Sequence, residues 1–205
     1  MFTEKSFAVF QIEGLDERMA AIRSEIQPVF QELNEYFKAD LEKELQEALF
    51  IQIAQHIRRS VHPPESTWSA LSRQKRGYKM EAHFQLGIFP DYVFMWLSII
   101  DQPKGKEQMA DWLIAHPESW QKLPQDTVIN KDHTISPYFS LTEAEMDKTL
   151  ARLKKVKKSE LQIGRVIPRD SALWQEPEKA RQYMLDTYRS LLPIYRELQK
   201  IDATR

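Results

Sequence analysis

The segment from Tyr92 to Ile100 constrains the fold more than any other part of the sequence. Its residues are almost all aliphatic or aromatic, so both faces of a strand built from them must be covered by protein, as in a central strand. The preceding run from Tyr78 to Phe89 alternates apolar and polar residues, which predicts a strand with one apolar and one polar face. The short connection at Pro90 and Asp91 predicts that the two strands pair as an antiparallel hairpin.

Further strand and helix patterns flank this hairpin. Aromatic and β-branched enrichment predicts strands at 7–12, 49–54 and 161–167. Amphipathic spacing and capping residues predict helices from Asp16 to Leu45 with a restart at Pro28, and at 106–115, 142–156 and 177–200. The stretch 58–77 is expected to be an irregular connection of a length that tends to be functional. These elements predict an α+β fold in a single domain spanning residues 1–205, with an antiparallel or mixed central sheet covered by helices.

Composition excludes several classes of function. The chain contains no cysteine, so thiolate chemistry and disulfides are impossible. Its five glycines show neither the dinucleotide-binding nor the Walker spacing, and no nucleophile-elbow motif is present, so no cofactor is predicted. The N-terminus does not resemble a secretory signal, and the longest apolar run is far shorter than the roughly 20 residues that span a bilayer. We therefore expect a cytoplasmic protein that does not enter the membrane.

Positive charge is segregated along the chain. The formal net charge is −1, yet the segment 56–85 has six basic and two acidic residues, and the segment 152–169 has seven basic residues and one acidic residue. If both segments fold onto one face, that face will attract anions.

Several blocks of residues have a specific spacing. They are Phe10-x-Ile12-x-Gly14-Leu15-x-x-Arg18-Met19, His56-x-Arg58-Arg59-x-x-x-Pro63-Pro64-x-x-Thr67-Trp68, Arg76-Gly77-Tyr78-Lys79-Met80-x-x-His83-Phe84-Gln85-x-Gly87 and Asp132-His133-Thr134. With these blocks nearly the whole chain resembles the bacterial family UPF0637, also called the domain of unknown function 1054 family. The resemblance implies a bacterial cytoplasmic protein with an α+β fold, and it carries over no catalytic residues. Ala82 stands where members of that family usually have a proline.

The first candidate site is the polar face of the strand at 78–89. Lys79, His83 and Gln85 should share that face at about 7 Å per two-residue step. Together with nearby arginines they would suit a phosphate or carboxylate, and His83 would suit a proton shuttle. The alternative is a sheet face that is exposed to solvent or covered by an amphipathic helix.

The second candidate is the basic loop that begins at Arg58 and Arg59. Pro63 and Pro64 stiffen it and Trp68 pins it to the body, which suits a lid or an anion clamp; the alternative is a structural loop with exposed arginines. Arg165 follows Gly164, a residue that permits close approach of a backbone or ligand. The complete set of candidate ligand-binding residues is Arg58, Arg59, Trp68, Arg76, Tyr78, Lys79, His83, Gln85 and Arg165.

Three functional hypotheses remain open at this stage. The first is a binding module for an anionic small molecule bearing a phosphate or carboxylate. The second is an enzyme in which His83 or His133 is the general acid or base and Arg and Lys side chains stabilise an anion. The third, less favoured, is a nucleic-acid-binding protein that stacks bases on Trp68 and Tyr78. The five histidines lack metal-ligand spacing, so no metal site is predicted; the oligomeric state is left open.

Overall fold

The computed structural model describes residues 1–203. Its helices are α1 (Glu4–Ala8), α2 (Leu15–Ala21), α3 (Gln27–Leu45), α4 (Lys106–Ala115), α5 (Glu118–Gln121), α6 (Glu143–Lys155) and α7 (Pro177–Ala203). Its strands are β1 (Phe50–Ile53), β2 (Thr67–Ser72), β3 (His83–Ile88), β4 (Tyr92–Ile99), β5 (Val128–Asn130), β6 (Phe139–Ser140) and β7 (Leu161–Pro168). A π-helical turn at Ile22–Ile26 joins α2 to α3.

One antiparallel sheet contains all seven of these strands, in the order β1-β2-β3-β4-β7-β5-β6. The predicted hairpin is β3 and β4, and the Phe89 N–H donates to the Tyr92 carbonyl at 2.9 Å across its turn. Every residue of β4 is buried, because β3 and β7 flank it and both of its faces are covered. The α+β fold and the central position of this strand are confirmed.

Helices cover one face of the sheet. Phe84 of β3 contacts the rings of Tyr188 and Tyr195 on α7, with centroids 5.4 and 4.5 Å apart, and Phe37 of α3 contacts Tyr188 at 5.2 Å. Each buried ring of this kind contributes about 1.5–3 kcal/mol through removal of apolar surface from water. The main hydrophobic cluster therefore lies between the sheet and its helices.

In the part of the chain that the structure describes, loops and not helices cover the opposite face. Phe94 and Trp96, which alternate along β4 with residues of the main cluster, form a separate aromatic cluster with Phe89 and Tyr92. Tyr138 from the β5–β6 loop contacts Tyr92 at 5.0 Å. The polar face of β3 is consequently neither exposed nor beneath an amphipathic helix.

The predicted strand at 7–12 is wrong. Residues 4–8 form α1 and Val9–Gln11 form a 3-10 turn. The Thr3 N–H donates to the Ser6 hydroxyl at the start of the helix, and Phe7 contacts the Trp174 ring at 5.9 Å. Phe7, one of the aromatic residues that suggested a strand, therefore packs from a helix onto Trp174.

Two boundaries in the segment 58–89 also differ from expectation. The stretch 58–77 is not wholly irregular, because it contains β2. β3 starts only at His83, since Tyr78–Met80 form a 3-10 turn after Gly77, whose φ of 82° is left-handed. Lys79 therefore lies in the turn and does not share a strand face with His83 and Gln85.

Among residues 1–203, no helix combines the length and the apolar character that a membrane crossing requires.

Candidate functional site

Polar residues line up across the loop-covered face of the sheet. His83 of β3, Ser98 of β4 and Gln162 of β7 are paired in register, and Gln85 pairs with Trp96 on the next rung. All five side chains are at most 1% exposed. A buried polar row of this kind is stable only where its hydrogen-bonding groups find partners.

His83 finds its partners within the protein. Its Nδ1 lies 2.8 Å from the Glu81 carbonyl and its Nε2 lies 3.0 Å from Gln85 Nε2. Because a carbonyl oxygen can only accept a hydrogen bond, His83 Nδ1 must carry a proton and donate it. Nε2 then accepts from the Gln85 amide, and the ring is neutral. Burial lowers the pKa of His83 to about 3. This geometry supports a structural role and gives no support to proton shuttling by His83 near neutral pH.

Four buried polar atoms on this face have no partner among the described residues. They are Gln85 Oε1, Trp96 Nε1, Ser98 Oγ and Gln162 Oε1. An unpaired buried polar group typically costs about 1–3 kcal/mol. Each of these atoms is buried, so the unused hydrogen-bonding capacity of this face lies inside the fold and not at its surface.

Trp68 and Tyr78 lie over this polar face. The Trp68 indole N–H donates to the Tyr78 hydroxyl at 2.9 Å, and the Tyr78 ring contacts the His83 ring edge-on at 4.8 Å. The Trp68 ring also contacts the rings of His56 and His133 edge-on, with centroids 5.4 and 5.1 Å apart. Trp68 thus connects the segments that carry the two histidines.

A pocket of about 410 Å³ opens beside Trp68 and Tyr78. Five predicted ligand-binding residues line it, namely Arg58, Arg59, Trp68, Tyr78 and Lys79. The other lining residues are Ala54, Gln55, His56, Ile57 and Gln102. The volume falls within the range of about 300–1,000 Å³ typical of small-molecule sites.

No carboxylate among residues 1–203 neutralises the cations of this pocket. Within residues 1–203, Arg58, Arg59 and Lys79 form no ion pair. Arg59 donates to the carbonyls of His62 and Pro63 at 3.3 and 3.4 Å. The Lys79 ammonium lies about 6 Å from the centres of the Trp68 and Tyr78 rings, at 5.9 and 6.0 Å. Positive potential therefore persists in the pocket.

His56 responds to this positive charge. Its backbone has a φ of 50°, and its Nε2 lies 3.1 Å from the Thr67 hydroxyl. Burial, and then the nearby Arg59 and Lys79, lower the pKa of His56 to about 4. His56 is therefore neutral at pH 7.

Four of the nine predicted ligand-binding residues do not line the pocket, namely His83 and Gln85 of the buried polar row, Arg76 and Arg165. Arg76 is exposed and is not among the lining residues. Arg165 occupies the helix side of β7, where it donates to the Thr187 hydroxyl and the Tyr183 carbonyl and lies 3.6 Å from Asp126. The expected convergence of Arg165 with the other cations is not found, because consecutive strand residues face opposite sides of the sheet.

The second basic segment is also partly neutralised. Lys154 pairs with Asp111 at 2.5 Å, and Arg169 pairs with Glu4. A nucleic-acid surface built from both basic segments would therefore lack these two cations as well as Arg165.

The fold assembles one polar cluster that the sequence does not predict. The histidine spacing predicts no metal site. The fold nevertheless brings together three possible ligand atoms, one each from Asp132, His133 and Glu160, that lie within 4.8 Å of one another. The backbone N–H of His133 donates to Glu160 Oε2 at 3.0 Å, and the ring Nδ1 of His133 lies 2.7 Å from the same oxygen. Glu160 was missed because it is 27 residues from His133; its only signal is that it is the one acid in the segment 152–169.

Comparison with known proteins gives a consistent result over most of the chain. The family model described as domain of unknown function DUF1054 matches residues 2–195. A UPF0637 protein of Enterococcus faecalis is 58% identical over 195 residues, which cover 95% of this chain and 96% of the relative. The UPF0637 protein YsbB of Lactococcus lactis is 47% identical, with 98% and 100% covered. A UPF0637 protein of Exiguobacterium sibiricum is 40% identical, with 97% and 98% covered.

Proposed function

The chain belongs to the DUF1054 family, also named UPF0637, and we propose that it is a cytoplasmic binding module for a small anionic ligand bearing a phosphate or carboxylate. The observation that carries this proposal is the convergence of Arg58, Arg59 and Lys79 on one pocket without a carboxylate partner in residues 1–203. Elsewhere basic side chains such as Arg73, Lys154 and Arg165 have acidic neighbours. An uncompensated group of cations in a concave site favours an anion as its natural partner.

The pocket also suits the part of the ligand that carries no charge. Trp68 and Tyr78 line it with aromatic surface, and their mutual hydrogen bond fixes the two rings. Ile57, which is 88% exposed, adds apolar surface at the same pocket. The ligand class that fits is a small molecule with an anionic end and a planar or apolar body.

The positions of the histidines favour binding over catalysis, because neither His83 nor His133, the two candidates for a general acid or base, lines the pocket. His83 has both ring nitrogens engaged and is fully buried. His56 lines the pocket but is neutral at pH 7, since its pKa is about 4. A neutral imidazole with so low a pKa is a poor general acid and a weak general base, so we assign the pocket to recognition.

Removal of the arginine charges should abolish most of the affinity. In Arg58→Gln/Arg59→Gln, two charge-assisted contacts are lost, so the affinity for the bound anion should fall on the order of 100-fold. A thermal-shift screen with inorganic phosphate, nucleotides, sugar phosphates and acidic metabolites identifies the anion, and calorimetric titration then measures the affinity.

The matched control for this variant is Lys157→Gln/Lys158→Gln. It removes the same charge from an adjacent pair of exposed cations outside the pocket, so it should leave the affinity within about twofold. Equal losses in both variants would show that only net charge matters. The proposal fails if no anion in the screen stabilises the protein at millimolar concentration.

His56 provides a second readout of anion binding in the unaltered protein. A bound anion opposes the charges of Arg59 and Lys79 that lower the pKa of His56, so the pKa should rise above its value of about 4 when ligand is present. The measurement is an NMR titration of the His56 ring protons with and without ligand. An unchanged pKa at saturating ligand would place the anion away from this pocket.

A further inference from the structure

We propose that Asp132, His133 and Glu160 bind a divalent transition-metal ion, with Gln162 as a fourth protein group. The three side chains each bring a ligand atom within 4.8 Å of the others. Metal–ligand bonds of about 2.0–2.2 Å separate neighbouring tetrahedral ligands by roughly 3.4 Å. Small side-chain rotations are enough to close the cluster around one ion.

The local structure holds the first two groups in place. Asn130 Oδ1 accepts from the Asp132 N–H at 2.8 Å, and Asn130 Nδ2 donates to the carbonyls of Ile135 and Pro137 at 2.9 and 3.0 Å. Asp132 Oδ1 accepts from the Thr134 N–H at 2.9 Å. The turn that carries Asp132 and His133 is therefore fixed to the end of β5.

Sheet register supplies the remaining groups. Asn130 of β5 pairs with Gln162 of β7, and Glu160 immediately precedes β7. The His133 N–H donates to Glu160 Oε2 at 3.0 Å, which holds the carboxylate against the turn. The groups meet because β5 and β7 are neighbours in the sheet, although they are distant in sequence.

Gln162 is an independent observation that points to a ligand. It is fully buried; its Nε2 donates to Glu160 Oε2 at 3.1 Å and its Oε1 has no partner among the described residues. The two orientations of a side-chain amide differ by a half turn of its terminal group. With a cation beside Glu160, the turned amide directs Oε1 toward the ion, which satisfies the unpaired acceptor.

The donor set selects the class of ion. One imidazole nitrogen with carboxylate and amide oxygens, and no thiolate, suits first-row divalent ions such as Zn²⁺ and Mn²⁺ better than Mg²⁺ or Ca²⁺, which favour oxygen alone. The proposal rests on the cluster and not on the anion pocket. The two sites nevertheless share Trp68, which lines the pocket and contacts the His133 ring at 5.1 Å.

The test is calorimetric titration of the chelator-treated full chain with Zn²⁺ and with Mn²⁺. One ion should bind per chain, and His133→Asn and Glu160→Gln should each weaken binding at least about tenfold. His116→Asn is the matched control, because His116 stacks on Trp112 and hydrogen bonds to its carbonyl outside the cluster. Arg58→Gln/Arg59→Gln should retain metal binding, which separates this proposal from the anion site.

A measurement on the unaltered protein guards against variants that fail to fold. Substoichiometric Mn²⁺ should broaden the NMR signals of residues 131–134 and 160–162, and of neighbours in contact with them such as Trp68, before those of the rest of the chain. Absence of saturable one-to-one binding, first broadening elsewhere, or an equal loss of affinity in His116→Asn would overturn the metal site.

Discussion

Acidification from pH 7 to pH 4 should lower the free energy of unfolding by about 5 kcal/mol, because two histidines are held neutral in the fold. Burial lowers the pKa of His83 to about 3 and that of His56 to about 4. In the unfolded chain both rings titrate near the ordinary value of about 6.5. Acid therefore protonates the unfolded state first and shifts the equilibrium toward it.

The sign follows from the numbers of bound protons. Between pH 6.5 and the folded pKa the unfolded state binds more protons, so stability rises with pH in that window and is lost as the pH falls. The stabilisation is complete above about pH 6.5, declines toward pH 4 for His56 and continues to decline toward pH 3 for His83. At pH 4, His83 accounts for about 3 kcal/mol and the less buried His56 for about 2 kcal/mol.

The environment of each ring explains why protonation is unfavourable. His83 faces the Gln85 amide across Nε2, and Lys79 and His133 are the charged or titratable side chains that oppose a positive charge there. His56 is opposed by Arg59 and Lys79. The buried carboxyl of Glu81, whose pKa is raised by burial, acts in the opposite direction because it favours its proton in the fold.

Urea titrations at pH 7, 6, 5 and 4 measure this effect. His83→Asn keeps a side-chain donor for the Glu81 carbonyl and should remove about half of the loss. His62→Asn is the control, since it removes an exposed histidine without touching either buried ring and should retain the wild-type profile. NMR evidence that the His83 ring protonates near pH 6 in the folded protein would refute the explanation.

Elements with strong local signals were predictable from the sequence. The hairpin of β3 and β4 follows from the apolar run and its turn, and α6 begins where the Thr142 hydroxyl accepts from the Glu145 N–H at 3.2 Å. Such signals are local, because periodicity and capping depend on residues within a few positions of each other. The predicted strand at 7–12 failed because the same aromatic residues pack equally well from a helix.

The candidate site was predictable only in part, because the faces of strands depend on exact boundaries. A strand assumed to begin at 78 places Lys79 and His83 on one face, whereas the 3-10 turn at 78–80 breaks that relation. The alternation of faces along a strand also explains Arg165. Its neighbour Gly164 lies on the loop-covered face beside Trp96, so Arg165 lies on the opposite face, among the helices. Whether a polar face is covered by loops is decided by distant segments, so no local pattern in β3 reveals it.

Gly164→Ala should destabilise the protein by at least about 4 kcal/mol and in practice prevent stable folding. A Cβ at position 164 would lie 1.9 Å from the Met95 carbonyl oxygen and 3.1 Å from Trp96 Cα. Both are backbone atoms of β4, and Gly164 is paired with Trp96 on one side and Val128 on the other. The three strands must separate to admit one methyl group, which breaks ladder hydrogen bonds at the centre of the sheet.

The other glycines give a graded comparison. At Gly87 the added Cβ would lie 2.0 Å from the Phe94 ring, a side chain that can rotate, so Gly87→Ala should cost less than Gly164→Ala. At Gly105 it would lie 3.1 Å from a side-chain methyl of Ile201, so Gly105→Ala should cost about 1 kcal/mol or less. None of the three has a positive φ, so the differences report steric conflict alone.

Urea unfolding of the three variants tests this order. If Gly164→Ala folds with near-wild-type stability, β7 does not approach β4 as closely as the Met95 carbonyl contact requires. The polar face would then be built differently, since the same pairing aligns Ser98 with Gln162 and brings Gln162 to Glu160. The result therefore tests the sheet geometry on which the proposed metal cluster depends, without any ligand.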